Sequence, residues 1–103
     1  MRRAKILMHG IPAGILEELD EQKSYRFSYI PEYSGPPVSL TMPVAKRVFE
    51  FDRFPPFFDG LLPEGRMLEA MLEQLKLDSQ DYFGQLLVVG KDPVGAVTVE
   101  EAE

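Results

Sequence analysis

Through the first half of the chain, apolar and polar residues alternate in short runs with a period of two. That spacing lays successive side chains on opposite faces of a strand. Residues 4–9, Ala-Lys-Ile-Leu-Met-His, open the pattern and predict a first strand. Gly10-Ile11-Pro12-Ala13-Gly14 predicts a turn, because its two glycines accept the positive φ that turns demand. Residues 15–19 predict the return strand of a hairpin. A helix is the alternative there, since Leu16, Glu17, Glu18 and Leu19 are good helix formers and the run is too short for its period to decide. The clearest strand spans residues 23–30, where Tyr25, Phe27 and Tyr29 share a face opposite Ser24, Arg26 and Ser28. Pro31 ends it, and Tyr33-Ser34-Gly35-Pro36-Pro37 forms a loop. Residues 38–42 alternate again, with Val38, Leu40 and Met42 on one face, and predict a strand that Pro43 stops. Residues 47–51 predict one more, through Val48, Phe49, Glu50 and Phe51.

After residue 54 the period changes. A dense, proline-broken apolar segment leads into a predicted helix from Pro63 or Gly65 to Leu77. Pro63 suits a first helical turn, where its missing N–H costs nothing. Leu68, Met71, Leu72 and Leu75 fall at i, i+3, i+4 and i+7 and predict a buried stripe. A second helix is expected to open at Asp78 or Ser79, to face the core through Phe83, Leu86 and Leu87, and to stop at Gly90. Lys91-Asp92-Pro93 predicts a turn into a last strand over residues 94–99, and residues 100–103 an acidic, solvated tail.

Strands, two helices and a final strand make an α+β fold. The expected form is a small antiparallel, partly barrel-like sheet with two helices before the final strand. At 103 residues the chain reads as a single domain, 1–103. Its 45% hydrophobic and 27% charged residues are the balance of a folded chain, not a disordered one. The net charge of −6 repels phosphate backbones, so no direct nucleic-acid partner is expected, and a basic protein partner would gain on-rate. The absence of cysteine excludes disulfides, thiolate metal sites and thiol nucleophiles. No run approaches the ~20 apolar residues of a membrane span. The basic start is broken by His9, Gly10 and Pro12 too soon for a secretory signal, so a cytoplasmic protein is expected.

Candidate chemistry is sparse. His9 is the one histidine and stands apart from any acidic or cysteine cluster, which is how structural histidines usually occur. None of the serines lies in a Gly-x-Ser-x-Gly elbow. The acidic clusters Glu17-Glu18-Leu19-Asp20-Glu21 and Glu100-Glu101-Ala102-Glu103 lack calcium-loop spacing, and no phosphate-binding glycine motif occurs. The expectation is therefore no enzyme, with no catalytic, cofactor-binding or metal residues. One segment stands out: Phe49, Phe51, Phe54, Phe57 and Phe58 concentrate five of the seven phenylalanines around Pro55 and Pro56. Two readings stand. The segment fills a core corner between sheet and helices, or part of it is a rigid apolar contact surface whose prolines reduce the entropy lost on docking.

Within that segment Pro56-Phe57-Phe58-Asp59-Gly60-Leu61-Leu62-Pro63-Glu64-Gly65 resembles the Pro-x-Phe-Phe-x-x-Leu-Leu-Pro-Glu-Gly signature of the HipA N-terminal domain family. Pro37-Val38-Ser39-Leu40-Thr41-Met42-Pro43 resembles its Pro-x-Ser-Leu-x-x-Pro element. The stretch from Asp81 to Leu87, followed by Gly90, Asp92, Gly95 and Ala96, resembles its ending. In full-length HipA-like proteins this domain precedes a larger Ser/Thr kinase domain that carries the catalytic and metal-binding aspartates. The resemblance implies a standalone, HipS-like antitoxin of a split, HipBST-type bacterial toxin–antitoxin system. Its partner would be a HipA-like Ser/Thr kinase, the HipT-like toxin, with a HipB-like helix-turn-helix repressor in the same complex. The alternative is a truncated or stabilising, activating N-terminal subunit of such a kinase. The partner-binding residues implied are Phe57, Phe58, Leu61, Leu62, Pro63, Glu64, Gly65 and Arg66. Some standalone relatives carry a tryptophan after the Pro-Glu-Gly turn; here Arg66 stands in its place and the chain has no tryptophan. An arginine there either reaches an acidic, metal-binding site or points into solvent at a helix start.

Overall fold

Eight elements follow one another in the computed structural model, which describes residues 2–90 and 96–102. They are β1 (Arg3–Met8), β2 (Ile11–Asp20), β3 (Ser24–Tyr29), β4 (Val48–Phe51), α1 (Pro56–Asp59), α2 (Gly65–Leu75), α3 (Tyr82–Val89) and β5 (Val97–Ala102). The strands form one antiparallel sheet in the order β4-β3-β2-β1-β5, an α+β fold. The sheet stays open, with β4 and β5 as its edges, and the one-turn helix α1 precedes the two longer ones. Among the described residues no helix is long and apolar enough to cross a membrane.

The first hairpin turns on His9 and Gly10 alone, whose φ values of 52° and 80° suit the tight turn between twisted strands. Ile11 to Gly14, expected as part of that turn, already belong to β2, and residues 15–19 are strand throughout. Gly14 is needed for packing: a Cβ there would lie 2.6 Å from the Ser28 carbonyl oxygen and 2.7 Å from Cζ of Phe27. The Phe27 ring therefore lies across the space a side chain at position 14 would fill.

Inward residues repeat from strand to strand. Ala4, Ile6 and Met8 of β1 stand beside Ala13 and Leu16 of β2, Tyr25, Phe27 and Tyr29 of β3, Phe49 of β4 and Val99 of β5. Register places Leu16 opposite Phe27 and Phe27 opposite Phe49. Phe54, Phe58, Leu62, Phe83 and Leu86 complete the core. Helix α3 covers β5 and starts later than expected, with Asp81 as its cap accepting from the Gly84 N–H at 3.1 Å. Asp78 instead closes the preceding turn, accepting from the Gln80 N–H at 2.8 Å. Buried Gln85 secures that turn by donating to the carbonyls of Asp78 and Ser79.

Further sequence expectations are corrected. Residues 38–42 form a tight turn rather than a strand. Its backbone groups are met locally, by a Met42 N–H to Ser39 carbonyl bond of 2.9 Å and by the buried Tyr29 hydroxyl, which accepts from the Val38 N–H and donates to the Met42 carbonyl. Leu40 at the tip is 94% exposed, while Val38 and Met42 point inward. The expected burial of Leu68, Met71, Leu72 and Leu75 fails: α2 buries no residue and makes only sparse contact with the strands and the other helices. It ends at Leu75, before the expected Leu77, because Lys76 takes the left-handed conformation and caps it. Glu100 to Ala102, read as solvated tail, extend β5 along β1, where Glu100 faces Lys5 in register. The expected turn at 91–93 and the first two residues of the last strand lie outside the described residues.

A charged clamp ties the sheet to α3. Arg2 donates to both Glu18 carboxylate oxygens at 2.8 and 2.9 Å and to both Asp81 oxygens at 3.1 and 2.6 Å. Its guanidinium lies 5.2 Å from the Phe83 ring centroid. Glu18 sits in the inward row of β2, so Arg2 neutralises a carboxylate that the alternation would otherwise bury unpaired. Hydrogen bonds from Arg2 hold the Asp81 carboxyl below the ordinary carboxylate value, outweighing the opposing effect of burial.

Two outcomes follow from this packing. Leu86→Ala should lower unfolding stability by about 2–5 kcal/mol, whereas Leu75→Ala should stay within about 0.5 kcal/mol of wild type, both read from urea unfolding midpoints. Because the folded Asp81 binds its proton only at lower pH than the unfolded chain, its contribution is complete above about pH 4 and is lost as the pH falls further. The stability advantage of wild type over Asp81→Asn, which keeps a capping side chain, should therefore be constant near neutrality and shrink below about pH 4. An advantage that is unchanged at acid pH would show that the Arg2 clamp does not depend on that charge.

Candidate functional site

The phenylalanine-rich segment begins where β4 ends. Pro55, fully buried with φ −58° and ψ 131°, is extended and caps α1, and Pro56 takes the first helical position. A single turn of helix follows, and the N–H groups of Leu61 and Leu62 bond back to the carbonyls of Phe58 and Asp59 at 3.1 Å each. Chain direction is thus set by two prolines and a run of local bonds. Phe54 packs edge-on against Tyr25 at 5.3 Å between centroids, and Phe58 meets Phe27 at 5.8 Å and Phe57 at 5.1 Å.

Burial divides the two readings of the segment. Phe49, Phe54 and Phe58 fill the core, while Phe51 and Phe57 are half-buried against it. Among the expected contact residues, Phe58 and Leu62 are interior. Phe57, Leu61 and Pro63 are half-buried, and Glu64, Gly65 and Arg66 stand in solvent. The structure therefore brings the block together as one turn with an apolar inner side and a polar outer rim. Glu64 is extended at the N-cap of α2, and Gly65 has φ +60°, the left-handed conformation that favours glycine. No hydrogen bond or ion pair from another described residue holds Arg66, so its five donors remain open to a partner.

Two other surface features adjoin the fold. A depression of about 700 Å³ lies beside the same segment, lined by Tyr25, Glu50, Phe51, Asp52, Arg53 and Pro56 among others. A second, of about 430 Å³, lies at the hairpin tip between His9, Ile11 and Tyr33. Among the described residues no group of three or more His, Asp or Glu side chains is placed to hold a metal. Sequence reasoning passed over Met67, 75% exposed, and took Leu75, 47% exposed, as core. Their signal was the amphipathic stripe itself, whose pattern is the same whether it faces its own core or another protein's.

The model of the family described as HipA N-terminal domain matches residues 4–100. An uncharacterised protein of Haemophilus influenzae is 34% identical over 101 residues, covering 98% of this chain and 93% of that protein. A Sinorhizobium fredii protein named "Putative kinase Y4dM" is 28% identical over 107 residues, covering 95% of this chain and 26% of that protein, so the chain spans about a quarter of its length. Among solved structures, one described as the N-terminal domain of HipA toxin superposes with a TM-score of 0.77 and 31% identity, covering 100% of this chain and 94% of that chain.

The backbone at position 65 is directly testable. An alanine in the left-handed region costs about 1–2 kcal/mol. Since α2 is held by little else, Gly65→Ala should lower the far-UV helical signal while leaving the global unfolding midpoint close to wild type. An undiminished helical signal would show that the turn does not set the start of α2.

Proposed function

The chain belongs to the HipA N-terminal domain family, and from that premise we propose that it is a non-catalytic binding module that docks on a HipA-like Ser/Thr kinase. We further propose that, supplied as a separate chain, it holds that kinase inactive, as an antitoxin in the cytoplasm, with a HipB-like repressor in the same complex. The observation that carries this reading is the turn from Pro63 to Arg66. It is backed by buried Phe58 and Leu62, set by Gly65 in a left-handed conformation, and ends in an arginine that no other described residue holds. The domain's occurrence in a relative of nearly equal length and as about a quarter of a protein named a kinase supports both a separate and a fused form.

The physical logic is that of a preorganised anchor. The backbone of the turn is ordered before binding, so docking loses little further chain entropy. Arg66 offers a planar fork suited to carboxylates, and a kinase active site needs acidic side chains to hold its metal ions. The net charge of −6 favours encounter with a basic surface around that acidic centre. Phe57, Leu61 and Pro63 add apolar contact at the rim, with Phe58 and Leu62 supporting them from the core.

Co-expression with the cognate kinase tests the role. This chain should relieve kinase-dependent growth arrest and lower kinase phosphorylation in vitro; a rise in phosphorylation would instead make it an activating subunit. Arg66→Ala should weaken binding by about 2–5 kcal/mol if the guanidinium is buried against carboxylates in the complex. The matched charge control is Lys23→Ala, exposed in the β2–β3 turn, because Arg2 belongs to the clamp on α3. Equal binding by both variants would place the contact elsewhere.

A further inference from the structure

We draw no further inference here: the strongest candidate, the outer edge of β4 with the adjoining depression lined by Glu50, Phe51, Asp52 and Arg53, is an open sheet edge among the described residues, but nothing in the structure shows what covers it.

Discussion

The contact between the Phe27 ring and the bare backbone of Gly14 governs much of this molecule. Two strands approach closely because position 14 has no side chain, and the ring occupies the space that a Cβ would need. That contact fixes the register of β2 on β3, which determines which alternate residues face inward. Phe58 then packs against Phe27 and docks α1 onto the sheet. Since the chain leaves α1 through Leu61 and Leu62 directly into the Pro63–Arg66 turn, the position of the candidate contact traces back to one aromatic ring over one glycine.

Rigidity is distributed unevenly along that path. Up to Leu62 the chain is held by prolines, local hydrogen bonds and buried aromatics. Beyond it, α2 is closed by its own cap but buries nothing. Free energies of local opening follow the amount of buried apolar contact, so α2 belongs to the low-stability end of the fold and α3 to the high end.

The acidic balance of the chain bears differently inside and outside. On the surface it keeps like molecules apart. In the inward row of β2 it places Glu18 where water cannot solvate it, and a single arginine near the N-terminus answers both that carboxylate and the Asp81 cap of α3. The clamp joins residues separated by 79 positions, and it explains why Arg2 is not an incidental surface charge.

Alternation and period carried the strand of aromatics at Tyr25, Phe27 and Tyr29, the α+β class, the inward set of α3 and the glycine that ends it, because each is a local pattern that geometry translates directly. The Pro-Glu-Gly block was legible as a motif, and so was the family it marks. Burial was not. The stripe on α2 reads as core by its spacing, and only the tertiary structure shows that none of it is fully buried: Leu68, Met71 and Leu72 are half-buried and Leu75 is exposed. The 38–42 alternation reads as a strand, but a hydroxyl nine residues upstream of Val38 satisfies the backbone groups that a ladder would have used, and Leu40 turns outward. Strand β5 captures acidic residues that look like tail because β1 needs a neighbour on that side. In each case the residues fix which side chains share a face, whereas the partner that face meets depends on contacts between segments far apart in the chain.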